Sequence, residues 1–237
     1  MKKAIIVGAT SGIGKELAIQ LVNKNYLVGV TGRRENLLAE LKNKYPDNIF
    51  YKCFDVSKDN NSDKLDELTA KLGSLDLLII SSGTGELNPE LSYKIEKITL
   101  DVNINGFAEI ACWGFNYFKK QGYGHLAGIT SISGLRGSRE GLSYSATKSF
   151  QIKYLEGLRQ NSHHNKLSIT VTDIRPGFVD TKMAKADIKF WVASPAKAAK
   201  QILTSIKRKK DIAYITRRWR IIALLIRIIP GLIYKKL

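Results

Sequence analysis

The feature that most constrains the fold of this chain is a glycine-rich turn that joins an apolar run to a helix-forming stretch. Residues 4–8, Ala-Ile-Ile-Val-Gly, have the composition of a short buried parallel strand. Residues 8–14, Gly-Ala-Thr-Ser-Gly-Ile-Gly, follow, and a helical stretch runs from residue 15 to about residue 24. Glycines allow a tight turn and a close approach of the backbone, while the amides that start a helix favour a phosphate. The N-terminal stretch therefore predicts a strand, a phosphate-binding turn and a helix.

Strand-like and helix-like stretches alternate through the rest of the chain. This alternation predicts an α/β fold with a doubly wound parallel sheet flanked by helices on both faces. The 237 residues suit one domain, which we expect to span residues 1–216, followed by a basic amphipathic segment at 217–237. Further strands are predicted at 27–31, 49–53, 75–80, 125–131, 167–174 and 211–215, and helices at 35–44, 60–72, 92–120, about 144–160 and 195–207.

A second motif, Tyr144-Ser-Ala-Thr-Lys148, follows Ser131 by thirteen residues. Tyr and Lys four residues apart share one face of a helix. A nearby ammonium favours the phenolate and lowers the pKa of a phenol, which starts at about 10. Tyr144 is therefore a candidate proton donor or acceptor, with Ser131 as a neutral hydrogen-bond partner for a substrate oxygen. Taken alone, such a Tyr–Lys pair is more often a solvated helix face.

Together, the G-x-x-x-G-x-G turn, Ser131 and Tyr144-x-x-x-Lys148 resemble the classical short-chain dehydrogenase/reductases over about residues 3–215. The resemblance implies a Rossmann-type sheet, a nicotinamide cofactor and hydride transfer between that cofactor and a carbonyl or alcohol carbon. It implies that Tyr144 protonates the carbonyl oxygen, while Lys148 lowers the Tyr144 pKa and holds the cofactor ribose. Ser131 would orient the substrate oxygen. Ser133 is a competing hydroxyl, which the thirteen-residue offset disfavours.

A fourth catalytic residue is implied by a V-N-x-x-G setting, which places it at Asn103. In the family, this Asn binds a water that relays protons from the Lys to solvent. The alternative is a buried Asn whose side chain satisfies backbone groups, and Asn105 is the neighbour that could be confused with it.

The resemblance also assigns cofactor contacts along the carboxyl ends of the strands. Asp55 would cap the adenine edge, and Val179 and Thr181 would hold the nicotinamide carboxamide. Ser81 departs from the family's usual Asn, which leaves the support of the sheet and ribose open at this point. Apart from the two arginines described next, the expected cofactor contacts are Gly8, Ser11, Gly12, Ile13, Gly14, Asp55, Val56, Ser82, Gly83, Tyr144, Lys148, Pro176, Gly177, Val179 and Thr181.

The residues after the second predicted strand indicate which nicotinamide cofactor is preferred. Dinucleotide folds use an acidic residue here for the ribose 2′-OH, or an Arg for a 2′-phosphate. No Asp or Glu lies at residues 30–34, whereas Arg33 and Arg34 both do. We therefore expect NADP(H) to be preferred over NAD(H). The alternative is a solvated basic turn.

A short substrate lid is expected at residues 183–194, with Phe190 and Trp191 as its apolar side chains. The chain then departs from the family, because residues 205–237 carry ten Lys or Arg and one Asp. This stretch also contains Trp219 and an Ile- and Leu-rich run, which is typical of a helix that lies in a membrane interface. An anionic membrane surface is therefore one expected partner. The alternatives are packing on its own domain or on a second subunit.

Composition limits the other partners. Two cysteines, Cys53 and Cys112, are expected to be buried free thiols in a reducing cytoplasm, and three scattered histidines predict no metal site. The net charge of +17 comes without a groove-reading motif, so we do not expect nucleic acid binding. No run of about 18 apolar residues predicts a spanning helix. We therefore expect a cytoplasmic protein, peripheral on the inner face of the membrane if the tail binds lipid.

Two functions of different classes fit these features. The first is an oxidoreductase acting on a small carbonyl or alcohol substrate, apolar or lipid-derived if the tail meets a membrane, and working as a homodimer or homotetramer. The second is a non-catalytic NADP-binding sensor or scaffold. The presence of all four implied catalytic residues favours the enzyme.

Overall fold

A computed structural model describes residues 1–181 and 190–236 of the chain. The strands in it are β1 (Lys2–Val7), β2 (Tyr26–Gly32), β3 (Ile49–Cys53), β4 (Leu77–Ile80), β5 (Tyr123–Ile129), β6 (Ser168–Pro176) and β7 (Ile212–Ile215). The helices are α1 (Gly12–Val22), α2 (Glu35–Lys44), α3 (Asn61–Leu72), α4 (Tyr93–Leu100), α5 (Phe107–Gln121), α6 (Leu142–His164), α7 (Pro195–Lys207), α8 (Trp219–Ile228) and α9 (Gly231–Tyr234). A π-helical turn, Asp101–Gly106, joins α4 to α5, and a 3₁₀ turn, Ile132–Leu135, follows β5.

The seven strands form one parallel sheet in the order β3-β2-β1-β4-β5-β6-β7. The strand order reverses between β1 and β4, because β1 pairs with β2 on one side and with β4 on the other. In doubly wound sheets, ligands bind outside the carboxyl ends of the strands at this reversal. The predicted Rossmann-type doubly wound sheet is confirmed.

Alternate side chains along each strand point to opposite faces, so the sheet has two hydrophobic cores. On one face, Ile6 and Val30 pack with Leu17 of α1 and Ile202 of α7. On the other face, Ile5, Leu78 and Leu126 pack with apolar residues of α3, α5 and α6. Helices cover both faces, and the strands therefore read as almost continuous apolar runs in the sequence.

Several expected elements differ in their bounds or surroundings. The helix expected at 92–120 contains the π-helical turn at Asp101–Gly106, so its backbone pairing changes register at Asn103. Ser131 lies two residues beyond β5 and begins the 3₁₀ turn, rather than ending the strand. The expectation of two buried thiols is wrong for Cys112, whose exposed sulfur lies 2.7 Å from the Tyr154 hydroxyl. Cys53 is half-buried.

The C-terminal segment packs on the domain along one side of α8. Trp219 and Ala223, one turn apart, are buried, whereas Ile221, Leu224 and Ile228 are exposed. The burial of Trp219 and Ala223 shows that one side of α8 packs on the chain's own domain, which was one of the expected alternatives. No helix in the described parts of the chain is long and apolar enough to cross a membrane.

Candidate active site

A cavity of about 560 Å³ opens at the carboxyl ends of β1, β4 and β5. Almost all of the site residues expected from the sequence line it, although they come from distant parts of the chain. The expected residues on its wall are Gly8, Ser11, Gly12, Ile13, Gly14, Arg33, Arg34, Asp55, Val56, Ser82, Gly83, Ser131, Tyr144, Lys148, Pro176, Gly177, Val179 and Thr181. Asn103 does not line the cavity and lies behind it, fully buried.

The glycine turn forms a cradle that a side chain would fill. Gly8 has a φ of +89°, and a Cβ atom added there would lie 2.6 Å from the backbone nitrogen of Ser82. Gly12 has a φ of +56° and opens α1, and a Cβ atom at Gly14 would lie 2.0 Å from the carbonyl oxygen of Gly8. Only glycine meets both requirements, a left-handed backbone and a close backbone approach. The start of α1 therefore remains open to the cavity.

Polar groups around this cradle suit a dinucleotide. The first-turn amides of a helix favour a phosphate, and the Ser11 side chain accepts a hydrogen bond from Arg34 at 2.8 Å. The Ser82 hydroxyl is buried, and among the described residues no group lies within hydrogen-bonding distance of it. An unpaired buried hydroxyl is costly, and a bound ligand would satisfy it. The residues present therefore fit a nicotinamide dinucleotide.

The two arginines after β2 have different partners. Arg34 donates to the Thr10 hydroxyl at 2.5 Å and to Ser11, so it lies over the glycine turn. Arg33 lies 3.7 Å from the Asp55 carboxylate. Burial of Asp55 raises its pKa, but hydrogen bonds from the backbone and hydroxyl of Ser57, together with Arg33, outweigh it and lower that pKa overall. Asp55 is therefore an anion that accepts hydrogen bonds at neutral pH.

Ser131 and Tyr144 meet across the cavity. Ser131 follows β5, and its hydroxyl accepts a hydrogen bond from the Ser133 backbone at 3.1 Å. Ser131 also faces the phenol of Tyr144, in the first turn of α6, and this interaction acts to lower the Tyr144 pKa. The Tyr144 ring packs so closely on Gly85 that a Cβ atom there would lie 2.3 Å from ring carbon Cδ2. The loop after β4 therefore packs against the ring of Tyr144, the candidate proton donor.

The expected effect of Lys148 on the Tyr144 pKa is wrong for this structure. Burial raises the pKa of the Tyr144 phenol, and the Ser131 hydrogen bond offsets only part of that rise. Lys148 lies 5.8 Å from the ring centre, and burial lowers its own pKa to about 8, against the attraction of Asp173. The physical reason is desolvation, which favours the neutral form of both groups. The Tyr144 phenol is therefore protonated at neutral pH.

The Asn103 side chain is buried and hydrogen-bonds backbone groups, which was the alternative to a role in a proton relay. Its Oδ1 accepts from the Thr84 backbone at 2.9 Å, while its Nδ2 donates to the Thr84 carbonyl at 2.7 Å and to the Thr147 hydroxyl at 3.0 Å. The backbone carbonyl of Asn103 accepts a hydrogen bond from the Gln151 side chain at 2.9 Å. The Asn103 side chain is therefore fully engaged in holding the loop after β4 to α6. Asn105, the other candidate, is exposed on the helix surface.

The sequence did not reveal every residue on the cavity wall. Leu87 follows β4, and Ser138 and Glu140 precede α6, so these residues bring two further loops to the cavity wall. Loops at the carboxyl edge of a parallel sheet are where such folds bind ligands, and this rule could have identified both loops. Phe178 was also missed, although it stands between the expected contacts Gly177 and Val179.

Aromatic side chains cluster around Phe178, which lines the cavity. The Phe178 ring lies 5.9 Å from Phe190 and 5.5 Å from Trp219, and Phe190 lies 4.9 Å from Trp219. Phe190 and Trp191, expected in a lid, are both exposed. Residues 182–189, which include most of the expected lid, lie outside the described residues. In the described parts of the chain, no three His, Cys, Asp or Glu side chains cluster as metal ligands would.

Comparison with known proteins gives one family. The family profile described as short chain dehydrogenase matches residues 2–190. An uncharacterized oxidoreductase of Staphylococcus saprophyticus is 31% identical over 190 residues, which are 77% of this chain and 80% of that protein. Two solved structures share the fold: a short-chain dehydrogenase from Streptomyces avermitilis (TM-score 0.82, 21% identity, 95% and 91% of the two chains) and ElxO with NADP bound (TM-score 0.79, 21% identity, 90% and 96%).

Proposed function

This chain belongs to the short-chain dehydrogenase/reductase family and is an NAD(P)-dependent oxidoreductase, and we propose that it uses NADP(H) to reduce a carbonyl substrate. The single observation that carries the proposal is the meeting of Ser131, Tyr144 and Lys148 at a cavity that also contains the glycine cradle. A solved relative in fold, ElxO, has NADP bound. Arg33 and Arg34, both on the cavity wall, support NADP(H) over NAD(H), because guanidinium groups bind a 2′-phosphate well.

Each polar group has one task in the proposed mechanism. When bound, NADPH supplies the hydride that reduces the carbonyl carbon. The Ser131 hydroxyl donates a hydrogen bond to the carbonyl oxygen and holds it beside Tyr144. The Tyr144 phenol, which is protonated at neutral pH, then gives its proton to that oxygen. Lys148, on the same face of α6, would hold the ribose of the bound cofactor.

Apolar residues on the cavity wall support an apolar or lipid-derived substrate. Leu87, Ile132 and Phe178 line the cavity, and the rings of Phe190 and Trp219 pack against Phe178. Such a wall would bind the hydrocarbon part of a ketone or an aldehyde, while the carbonyl reaches Ser131.

The direct test is NADPH oxidation by the purified protein with ketones and aldehydes of increasing chain length. Turnover that rises with chain length is expected. A non-catalytic sensor would bind NADPH and turn over none of these compounds, and that result would reject the enzyme reading of the site.

A second part of the proposal gives residues 217–237 a role of their own as a contact with an anionic membrane surface. Exposed apolar residues at positions 221, 224, 225 and 228 follow helical spacing and form an outer stripe on α8. Arg220 and Arg227, seven residues apart, lie along one edge of this stripe, and no acidic residue occurs between 212 and 236. A cationic helix with an apolar face that lies flat on its domain suits an anionic lipid interface.

The charges of the segment favour lipid over a second copy at this face. A two-fold interface brings the same patch of each copy together. Arg220 and Arg227 would then face the arginines of the other copy, with no acidic group in the segment to pair with them. An anionic bilayer has the complementary charge. We extend this part of the proposal to a cytoplasmic enzyme at the inner face of the membrane, because the anionic lipids of that leaflet would attract the segment.

We place the proposed homodimer or homotetramer contact on another surface, the outer side of α5 and α6. Trp113 and Tyr117 of α5 stack at 5.6 Å, and Phe150 and Tyr154 of α6 lie 5.4 Å apart. Aromatic rings of this kind are enriched at protein interfaces. Light scattering of the purified protein gives the oligomeric state, and a glutamate at Phe150 is expected to shift it toward the monomer.

A further inference from the structure

The side chain of Gln151 is hydrogen-bonded to two of the candidate catalytic residues, Lys148 and Asn103, a link that the sequence did not show. Gln151 stands three residues after Lys148 on α6 and is completely buried. Its Oε1 accepts a hydrogen bond from the Lys148 ammonium at 2.9 Å, and its Nε2 donates to the backbone carbonyl of Asn103 at 2.9 Å. A buried side-chain amide destabilises the fold unless both its oxygen and its nitrogen are hydrogen-bonded. In Gln151, both hydrogen bonds go to residues of the candidate site.

The Lys148 ammonium is held on two sides. Besides Gln151, it donates to the carbonyl oxygen of Ile129, at the end of β5, at 2.9 Å. An ammonium has three N–H groups, so one remains for the cavity. A Cβ atom added at Gly83, on the cavity wall, would lie 3.5 Å from the Lys148 nitrogen. The two hydrogen bonds thus determine where the remaining donor of Lys148 lies.

The two hydrogen bonds of Gln151 form a bridge from Lys148 to Asn103, and this bridge ends in an irregular helical turn. Asn103 lies in the π-helical turn between α4 and α5, where the regular helical pairing is interrupted. Its carbonyl oxygen needs a donor there, and Gln151 provides one. The family resemblance implied a water at Asn103 that relays protons from the Lys. In this chain, the Gln151 amide spans the gap between Lys148 and Asn103 directly.

We propose that Gln151 is a positioning residue for Lys148, which it holds through a direct amide bridge in place of a relay water. The proposal rests on the proposed reduction by Tyr144 and Lys148. A glutamine amide accepts at one end and donates at the other, so it orients the ammonium without carrying protons to Asn103. Lys148 then exchanges protons on the side of the cavity, where the phenol of Tyr144 also lies.

Two substitutions of Gln151 separate a positioning role from a packing role. If Gln151 positions Lys148, the variant with the higher kcat is the one with the lower thermal stability. Gln151→Leu keeps the buried volume but removes both hydrogen bonds and leaves no room for water. Gln151→Ala leaves space in which one or two waters can bond the ammonium and the Asn103 carbonyl. We expect Gln151→Leu to lower kcat by tenfold to a hundredfold, the scale of a misplaced catalytic group, and Gln151→Ala to lower it less. Thermal stability is expected in the reverse order, because the smaller side chain leaves a cavity.

The proposal fails if kcat follows thermal stability, with Gln151→Leu at least as active as Gln151→Ala. Leu155→Ala is the control, because it removes a buried core side chain of the same helix and is expected to lower stability without changing kcat. If Tyr144→Phe abolishes turnover while both Gln151 variants match the unmodified protein, only the positioning role is rejected. If the unmodified protein reduces no carbonyl compound, the proposed function itself is rejected.

A measurement without turnover tests the same bridge. The titration of Lys148 can be followed by NMR of ¹³C-labelled lysine in the full chain. The ionisable groups that face this ammonium in the described structure are Tyr144 on the same helix and Asp173 on β6. Gln151→Leu removes an acceptor of the charged form and is expected to lower the Lys148 pKa below its value of about 8. Gln151→Glu adds a negative charge and is expected to raise it, and a Lys148 titration unchanged in both variants would overturn the proposal.

Discussion

The indole ring of Trp219 lies directly on Gly177. A Cβ atom at Gly177 would be 2.1 Å from ring carbon Cε2, so only glycine fits beneath the ring. Gly177 is on the cavity wall, while Trp219 is the first residue of α8. The C-terminal segment is therefore fastened to the domain at the edge of the candidate active site, and its position there bears on both stability and ligand binding.

The first prediction concerns this contact. Trp219→Ala is expected to lower the free energy of unfolding by about 3 to 5 kcal/mol, because it leaves a large cavity in a packed cluster. Binding of NADPH should weaken as well, since the loop at Gly177 loses its support. Trp191→Ala is the control, because that ring is 38% exposed and its loss should cost much less. Chemical denaturation and fluorescence titration measure both effects, and equal losses in the two variants would contradict the prediction.

A second prediction concerns the proton donor. Tyr144→Phe keeps the ring on Gly85 but removes the phenolic proton, so turnover should fall by about 100-fold to 10,000-fold. NADPH affinity should stay within a few fold of the unmodified protein. Tyr154→Phe is the matched control, because Tyr154 stands on the same helix and bonds Cys112 outside the cavity. Full activity of Tyr144→Phe on a good substrate would mean that another group supplies the proton.

The third prediction concerns cofactor choice. NADPH should bind at least tenfold more tightly than NADH, which corresponds to about 1.4 kcal/mol. Arg33→Asp replaces a cation beside Asp55 with a second carboxylate, so the preference should narrow or reverse. Arg208→Asp makes the same change of charge at the end of α7, away from the cavity wall, and should leave the ratio unchanged. Equal affinities of the unmodified protein for both cofactors would refute the assignment.

A fourth prediction concerns stability in acid. Burial lowers the pKa of His125 to about 4, and its ring bonds the Thr172 hydroxyl at 2.8 Å. The unfolded chain gains this proton near pH 6.5, whereas the folded chain gains it near pH 4. Above about pH 7, His125 is neutral in both states, so it does not change the free energy of unfolding with pH. As the pH falls from about 6.5 to about 4, the unfolded chain binds the proton first, and the free energy of unfolding decreases. The loss is on the order of 2 to 3 kcal/mol.

His125→Gln removes this titration while it keeps a polar side chain beside Thr172. Urea denaturation at pH 7 and at pH 4.5 should show a smaller acid loss in His125→Gln than in the unmodified protein. The difference between the two proteins isolates His125, because acidic side chains titrate in both. An identical loss would show that another group is responsible.

The last prediction concerns the outer stripe of α8. Each cation near an anionic leaflet contributes on the order of 1 kcal/mol, and salt screens the effect. The full chain should co-sediment with vesicles that contain phosphatidylglycerol at low salt and be released at high salt. Replacing Ile221, Leu224 and Ile228 together by serine should abolish this binding, because the apolar contribution is lost.

The control for the stripe replaces Leu91, Tyr93 and Ile98 by serine. These three side chains are equally exposed but lie around α4, so vesicle binding should persist. Light scattering of the same variants separates lipid binding from self-association. If the stripe variant changes the oligomeric state and the unmodified protein stays in the supernatant, the face is a subunit contact and the membrane proposal is wrong.

Local chemistry was enough to predict much of this protein from its sequence. The strand, the glycine turn and the helix at residues 4–24 follow from short-range rules, since a tight phosphate turn requires glycine. Arg33 and Arg34 follow their strand directly, so their place at its carboxyl end was also predictable. The spacing of Tyr144 and Lys148 gave their shared helix face, because four residues make about one turn.

Tertiary structure decided what these residues meet. Lys148 was expected to act on Tyr144, yet its ammonium bonds Ile129 and Gln151, and burial sets the pKa values of both candidates. No local pattern reveals desolvation, because it depends on which elements pack around a side chain. Likewise, the sequence left open whether the tail packs on its own domain, on a second subunit or on a membrane, whereas the fold buries Trp219 on Gly177. Contacts between distant segments alone determine which apolar side of α8 faces the domain and which faces outward.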